Sequence, residues 1–226
     1  MTTQIILKQL DEIYPSSELK NPISRREYQQ QRKQAIRQYR EQQILHYLQQ
    51  DDVQFMTDDY GKPYIVGQRI AFNHSHSSDL SALLISDELQ DIGIDIEQLQ
   101  RKVRFEAMAQ HCFHDDEYQA WQTQGKISAH WFKIWTVKEA VLKASGLGIR
   151  INLNQLNTQI QRDTQWGMVY HEKIGYFRFY CTPCSLLSAH GKIDFMLAIA
   201  WRVINHDIDD VQNNQLKWTM VYARHV

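Results

Sequence analysis

Lys138, Glu139 and Lys143 lie within one short stretch, Trp135-Thr-Val-Lys138-Glu139-Ala-Val-Leu-Lys143-Ala-Ser-Gly146-Leu-Gly148, which reads as the end of a helix. Glu139 and Lys143 are four apart and share a helix face. A carboxylate held between two ammonium groups stays ionised and can serve as metal ligand or proton acceptor, while the ammoniums suit phosphate oxygens. Upstream, Gly93-Ile94-Asp95-Ile96-Glu97 reads as a strand, so Asp95 and Glu97 project together on the face opposite Ile94 and Ile96. Paired carboxylates repel unless a cation or water relieves them, and oxygen-only donors suit a hard ion such as Mg²⁺. With Glu139 as a third carboxylate, these residues point to a divalent cation gripping a phosphate-bearing substrate. The plainer alternative is a strand face of solvated acids.

Three further motifs carry weaker chemistry. Phe72-Asn-His74-Ser75-His76-Ser77 follows a strand and sets imidazoles among hydroxyls, a plausible phosphate cradle. His-x-His is equally a transition-metal half-site or plain turn chemistry. Ser75 and His76 are poor candidates for a nucleophilic pair, because adjacent residues on extended chain point apart. Arg25, Arg26, Arg32, Lys33, Arg37 and Arg40 make the first half of one helical stretch basic, either as a solvated face or as a phosphate contact. Cys181-Thr-Pro-Cys184 has redox spacing but follows a strand pattern rather than opening a helix, and no further zinc ligands match it, so both cysteines read as structural.

The elements that must position these residues form an α+β pattern. Residues 4–7, 70–74, 80–86 and 91–97 read as strands, with residues 24–50 helical and Tyr60-Gly61-Lys62-Pro63 a turn. Residues 105–112, 115–121 and 128–145 read as helices, the last with Ser128 as N-cap and Gly146 closing it. Strands return at 167–173, 176–181, 194–203 and 218–223. Helix followed by strands thus occurs twice, which predicts two similar packed α+β halves, 1–100 and 101–226, with the acidic strand near their seam. Pockets favour such seams.

Bulk properties narrow the class. A hydrophobic content of 43%, with 11 tyrosines, 8 phenylalanines and 6 tryptophans, is ample for a packed core in 226 residues. With 25 basic against 26 acidic side chains, the formal charge of −1 argues against a general nucleic-acid binder. Ile5-Ile6-Leu7 is too short for a signal peptide's apolar region, and residues 195–201, the longest apolar run, fall well short of the ~20 a membrane span needs. Three cysteines fit a reducing compartment. The expectation is a cytoplasmic protein without a membrane partner.

In order, the chain carries Gly-Lys-Pro, Phe-Asn-x-Ser-His-Ser, Gly-Ile-Asp-Ile-Glu, Cys112-Phe113-His114-Asp-Asp-Glu117 and Trp-x-x-Lys-Glu-Ala-x-x-Lys-Ala-x-Gly-x-Gly. Over residues 60–150 this series closely resembles the phosphopantetheinyl transferases of the broad-specificity, pseudo-dimeric, surfactin-synthetase-activating type. The resemblance implies transfer of the 4′-phosphopantetheine arm of coenzyme A to a serine of an apo-acyl, peptidyl or aryl carrier protein, with release of 3′,5′-ADP. It implies Mg²⁺ held by Asp95, Glu97 and Glu139, and Lys138 and Lys143 on the coenzyme A phosphates. Ser75 and His76 would touch the nucleotide phosphates, Gly61-Lys62-Pro63 would border the adenosine, and the basic residues around Arg37 would meet the 3′-phosphate. Glu139 and Lys143 would be catalytic, and two halves mimicking a dimer would let a monomer act. The carrier would dock near Arg101, Lys102 and Arg104 or along residues 113–121. The chain departs from the pattern at Ala140, where serine is frequent, and at His74, where an aliphatic residue is more usual.

Overall fold

The computed structural model describes residues 3–15, 24–188, 191–203 and 218–222. In chain order the elements are β1 (Thr3–Gln9), α1 (Leu10–Ile13), α2 (Arg25–Leu48), β2 (Phe55–Thr57), β3 (Pro63–Ile65), β4 (Ala71–Ser77), β5 (Leu80–Ser86) and β6 (Gly93–Gln98). They continue as α3 (Phe105–Cys112), α4 (Asp115–Thr123), α5 (Ser128–Ser145), β7 (Trp166–His171), β8 (Gly175–Ser188), β9 (Gly191–Arg202) and β10 (Trp218–Tyr222). One sheet runs β10-β1-β5-β4 and the other β6-β9-β8-β7, with a separate β2-β3 hairpin. Among the described residues no helix is long and apolar enough to cross a membrane.

Strand alternation builds the layers. Ile5, Leu7, Ala82 and Leu84 of the first sheet meet Ile94, Ile96, Leu197, Ile199 and Trp201 of the second, forming a core between the sheets. The intervening residues Ile6, Leu83 and Ile85 turn outward onto Ile44 of α2. On the second sheet, Met196, Ala198, Ala200, Phe177 and Phe179 turn the other way onto α5. The order of layers is therefore α2, first sheet, second sheet, α5.

The boundary drawn at residue 100 is crossed twice. β6 leaves the N-terminal stretch to pair antiparallel with β9, and β10 returns from the C-terminal end to pair in parallel with β1. These two pairings link the chain on either side of residue 100 and place β6 and β4 at facing edges of the two sheets.

Local chemistry accounts for the helix ends. Ser24 caps α2 in a capping box with Glu27, and Gly146 ends α5 with φ of 75°. Ser128 is the first residue inside α5, not its cap; Ile127 holds the cap position and makes no side-chain bond. The Phe72–Ser77 motif does not follow a strand but is one, since β4 runs to Ser77. Likewise β8 continues to Ser188, so Cys181 and Cys184, three apart on extended chain, face opposite sides of the sheet. Both are free thiols.

Candidate active site

The site is organised where α5 lies against β6. A Cβ added at Gly93 would sit 2.1 Å from the Ala140 carbonyl oxygen and 2.4 Å from the Ala144 amide nitrogen. Only glycine admits the helix backbone so close to the strand. Ala140 is wholly buried in that contact, so a small side chain is what the position accommodates. Two residues beyond Gly93, Asp95 faces α5, and its Oδ1 lies 2.7 Å from the Lys143 ammonium.

The seam between β4 and β6 is closed by side chains rather than by a backbone ladder. The odd-numbered residues of β4 face β6. Asn73 Oδ1 accepts from the Ile94 amide at 2.9 Å, Ser75 donates to Asp95 Oδ1 at 2.8 Å, and Ser77 donates to Glu97 Oε2 at 2.7 Å. Lys143 also donates to Ser75 Oγ at 2.8 Å, bridging the two strands from the helix. Glu97 takes two more partners, the Trp135 indole N–H at 3.0 Å on Oε1 and Arg101 at 3.1 Å on Oε2.

The even-numbered residues of β4 face α2. His74 Nε2 lies 2.8 Å from Ser81 Oγ, and burial, reinforced by His76, Arg40 and Lys143, pushes its pKa down to about 3. Burial, then Arg32 and Lys143, also lowers that of His76. Burial and the neighbouring cations thus favour the neutral form of both imidazoles. Arg32 donates to the Ser78 carbonyl at 3.0 Å, and Arg40 stacks over Phe72 at 5.8 Å. The cleft so formed has a volume of about 440 Å³ and is lined by residues 74–78 and 95–97 with Arg101 and Lys143. It is acidic on the β6 wall and basic at both ends.

The carboxylates are coupled. Burial first, then Asp95, raises the pKa of Glu139 to about 6 against the opposing pull of Lys143, and Glu97 adds a smaller push. Glu97 is raised by burial and by Asp95. Asp95 Oδ2 is buried without any hydrogen-bond partner. An orphaned carboxylate oxygen beside mutually repelling acids is a place that a cation could complete, and the all-oxygen donor set would suit a hard ion such as Mg²⁺. Among the described residues, however, no three His, Cys, Asp or Glu side chains converge tightly enough to ligate one ion.

Three residues expected to meet coenzyme A, Lys138 and Arg37 at its phosphates and Lys62 at its adenosine, have other partners. Lys138 is fully buried, paired with Glu117 at 2.7 Å and bonded to the Leu153 and Leu156 carbonyls. One position along a helix turns the side chain by about 100°, so Lys138 leaves the face that Glu139 and Lys143 share. The Lys62 ammonium donates to the Ala144 carbonyl at 2.7 Å, capping the C-terminus of α5, where a cation complements the helix dipole. Arg37 is two-thirds exposed and pairs with Glu41 along its own helix. Arg32, one turn and a half earlier, touches the rim of the cleft through its bond to the Ser78 carbonyl. Ser75, His76, Asp95, Glu97 and Lys143 are brought together, with Glu139 coupled to them. Ser77 and Trp135, present in the quoted motifs, hold Glu97; the strand period on β4 was the signal for Ser77.

Comparison with known proteins agrees with the motif series. The sequence profile of the 4′-phosphopantetheinyl transferase superfamily matches residues 91–183. The 4′-phosphopantetheinyl transferase gsp of Aneurinibacillus migulanus is 32% identical over 149 residues, covering 62% of this chain and 61% of that protein. The 4′-phosphopantetheinyl transferase Sfp of Bacillus subtilis is 31% identical over 117 residues, 50% of each chain. HetI of Nostoc sp., likewise a 4′-phosphopantetheinyl transferase, is 38% identical over 104 residues, 43% of each. The match thus spans less than two thirds of the length of these relatives. The holo-[acyl-carrier-protein] synthase of Thermotoga maritima aligns with 50% of this chain and 63% of its own at a TM-score of 0.35 and 17% identity.

Proposed function

We propose that this chain is a member of the 4′-phosphopantetheinyl transferase superfamily and moves the 4′-phosphopantetheine arm of coenzyme A onto a serine of an apo-carrier protein. The observation that carries this reading is Lys143 bridging Ser75 and Asp95 across the seam. It sets a cation, hydroxyls and coupled carboxylates around one cleft, as phosphoryl-type transfer requires.

Coenzyme A would lie along the cleft with its 3′-phosphate toward Arg32 and His76 and its diphosphate toward Lys143. Neutral His76 can donate to a phosphate oxygen, and Arg32 can grip one as a fork. Asp95, Glu97 and Glu139 would face Mg²⁺, which when bound neutralises the diphosphate and stabilises the departing charge. Glu139 takes the proton from the carrier serine as its oxygen forms a bond to the phosphorus next to pantetheine. The bond from that phosphorus to the bridging oxygen breaks, and the electron pair leaves with 3′,5′-ADP. Lys143, already at the seam, offsets the growing charge on that oxygen. Because every residue lining the cleft comes from one chain, a monomer would suffice. A carrier's acidic surface would meet the exposed basic residues Lys102 and Arg104 beside the cleft's Arg101 end.

The test is the mass of an apo-carrier protein incubated with this protein, coenzyme A and Mg²⁺. Gain of one phosphopantetheine per carrier is expected. An unchanged mass across acyl, peptidyl and aryl carriers would leave only a coenzyme A-binding module.

A further inference from the structure

The second sheet ends in two unlike edges. At one, β6 is closed against β4 by side-chain bonds across the seam. At the other, β7 pairs with β8 alone among the described residues. The Cys181 amide donates to the Gln165 carbonyl at 2.7 Å, so residues 165, 167, 169 and 171 are the ones that exchange main-chain bonds with β8. The N–H and C=O groups of Trp166, Met168 and Tyr170 therefore point away from β8, and no backbone group of a described residue bonds to them. Natural edge strands are usually protected by a charge, a proline or a bulge. Trp166–His171 contains no Asp, Glu, Lys, Arg or Pro, and its register with β8 runs without a break.

The side chains along this edge are open as well. Trp166, Met168 and Tyr170 stand opposite Tyr180, Arg178 and Tyr176. Ring centroids are 4.4 Å apart for Trp166 and Tyr180 and 4.6 Å apart for Tyr170 and Tyr176. Even so, Trp166 is 48% exposed and Tyr170 56%. An aromatic row beside a row of unused donors and acceptors is a template for one more strand.

We propose that the β7 edge is an interface between two copies of this chain, paired antiparallel about a two-fold axis at Met168. A two-fold contact must be complementary to itself, and this stretch of sequence is. Setting Met168 opposite the partner's Met168 puts Trp166 opposite the partner's Tyr170 on both sides of the axis. All the outward groups then meet in about six main-chain bonds. The same register carries Asp163 toward the partner's Lys173, just beyond the strand, and both residues are exposed. A slip of two residues either way loses one of the three pairs and parts the charges, and a slip of one turns the outward groups away from each other. Because β9 and β8 separate β7 from β6, each copy keeps a whole cleft of its own, whatever chemistry the cleft performs. A contact of two six-residue edges sits at the small end of specific interfaces, so the dissociation constant belongs at about 1–100 μM.

Sedimentation equilibrium of the whole 226-residue chain across that range, paired with hydrogen exchange, tests this. The 26.8 kDa species should give way to one of twice the mass, while exchange at the amides of Trp166, Met168 and Tyr170 slows with rising concentration. Met168→Lys, which opposes two ammoniums at the axis, should weaken dimerisation at least ~10-fold. Asp163→Lys and Lys173→Asp should each weaken it by about tenfold, since two exposed pairs per dimer turn repulsive. The double variant Asp163→Lys/Lys173→Asp should recover the wild-type constant, a rescue that a folding defect would not allow. A monomer at every concentration would overturn the proposal, whether the three amides exchange fast, as on a bare edge, or slowly throughout, as under another part of the same chain. So would a dimer that neither Met168→Lys nor the single charge reversals weaken, because it would use another face. Single reversals that weaken the dimer without recovery in the double variant would overturn the register.

Discussion

The two sides of α5 hold buried charge in opposite ways. Toward α4, Lys138 has every proton matched, by Glu117 and the Leu153 and Leu156 carbonyls, and Glu117 is matched by the His114 amide and by Thr158 through amide and hydroxyl. Toward β6, Glu139 lies among carboxylates that repel it, and Asp95 keeps one oxygen without a partner. A saturated cluster fixes geometry and excludes ligands. An unsaturated one keeps free energy available for whatever completes it. The helix is pinned on one side so that it can be left reactive on the other.

That contrast breaks most decisively at Glu139. Glu139→Gln removes the proton acceptor from the open side without touching the pinned side, so transfer should fall by at least ~10³-fold while the Tm stays within a few degrees. Wild-type turnover in this variant would refute the role given to Glu139. The mirror experiment is Glu117→Ala, which strands the wholly buried Lys138 without its partner. The expected cost is about 3–5 kcal/mol, a fall in Tm of roughly 10 °C for a chain of this size. Thermal unfolding unchanged by Glu117→Ala would mean that the pair does not anchor α5.

Lys143→Ala falls between these two. It removes the ammonium that bridges Ser75 and Asp95, and a lost electrostatic contact at the reacting charge typically costs ~10²–10³ in kcat. Some stability should be lost as well, since Asp95 is left buried without its ammonium, though less than at the wholly buried Lys138 pair because Lys143 is partly exposed. A kcat within twofold of wild type would remove Lys143 from the reaction. Farther along the cleft, Arg32→Ala should raise KM for coenzyme A by about tenfold with kcat nearly unchanged, whereas Arg37→Ala should change neither. Equal effects from the two arginines would dissolve the distinction drawn from Arg32 at Ser78 and Arg37 at Glu41.

How much of this could be read beforehand follows a physical line. Alternation on Gly93–Glu97 and the four-residue spacing of Glu139 and Lys143 are local periodicities, and the structure keeps both. The contacts that reassign Lys138 and Lys62 join residues 117 and 138, or 62 and 144, through folding alone. Nothing in the spacing of those pairs announces them. The same holds for the strand exchange that puts β6 in the second sheet and β10 in the first, because a hydrophobic pattern marks a strand's faces but not its neighbours. Arg32 was one of six basic residues on a helix whose orientation only the packing of Ile36 and Ile44 decides.

A pH-dependent effect tests whether the basic wall of the cleft is as tense as the acidic one. His74 is held neutral by burial and by Arg40, His76 and Lys143, with a pKa near about 3, whereas a histidine in an unfolded chain titrates near about 6.5. Between those values the unfolded chain binds a proton that the folded protein refuses. Stability is therefore fully present above pH ~6.5 and is lost as the pH falls, by up to ~1.4 kcal/mol per pH unit. Glu139 runs the other way. Its raised pKa of about 6 lets the folded state take a proton first, which favours folding as the pH drops through that value. The two walls partly cancel in the wild type, so the histidine must be isolated by difference. The stability of His74→Gln relative to wild type should rise steadily from pH 6.5 to pH 4, because glutamine can keep the bond to Ser81 without titrating. A difference that is flat over that range would show that His74 accepts its proton in the folded state, and that the cations around it press on the cleft less than their positions imply.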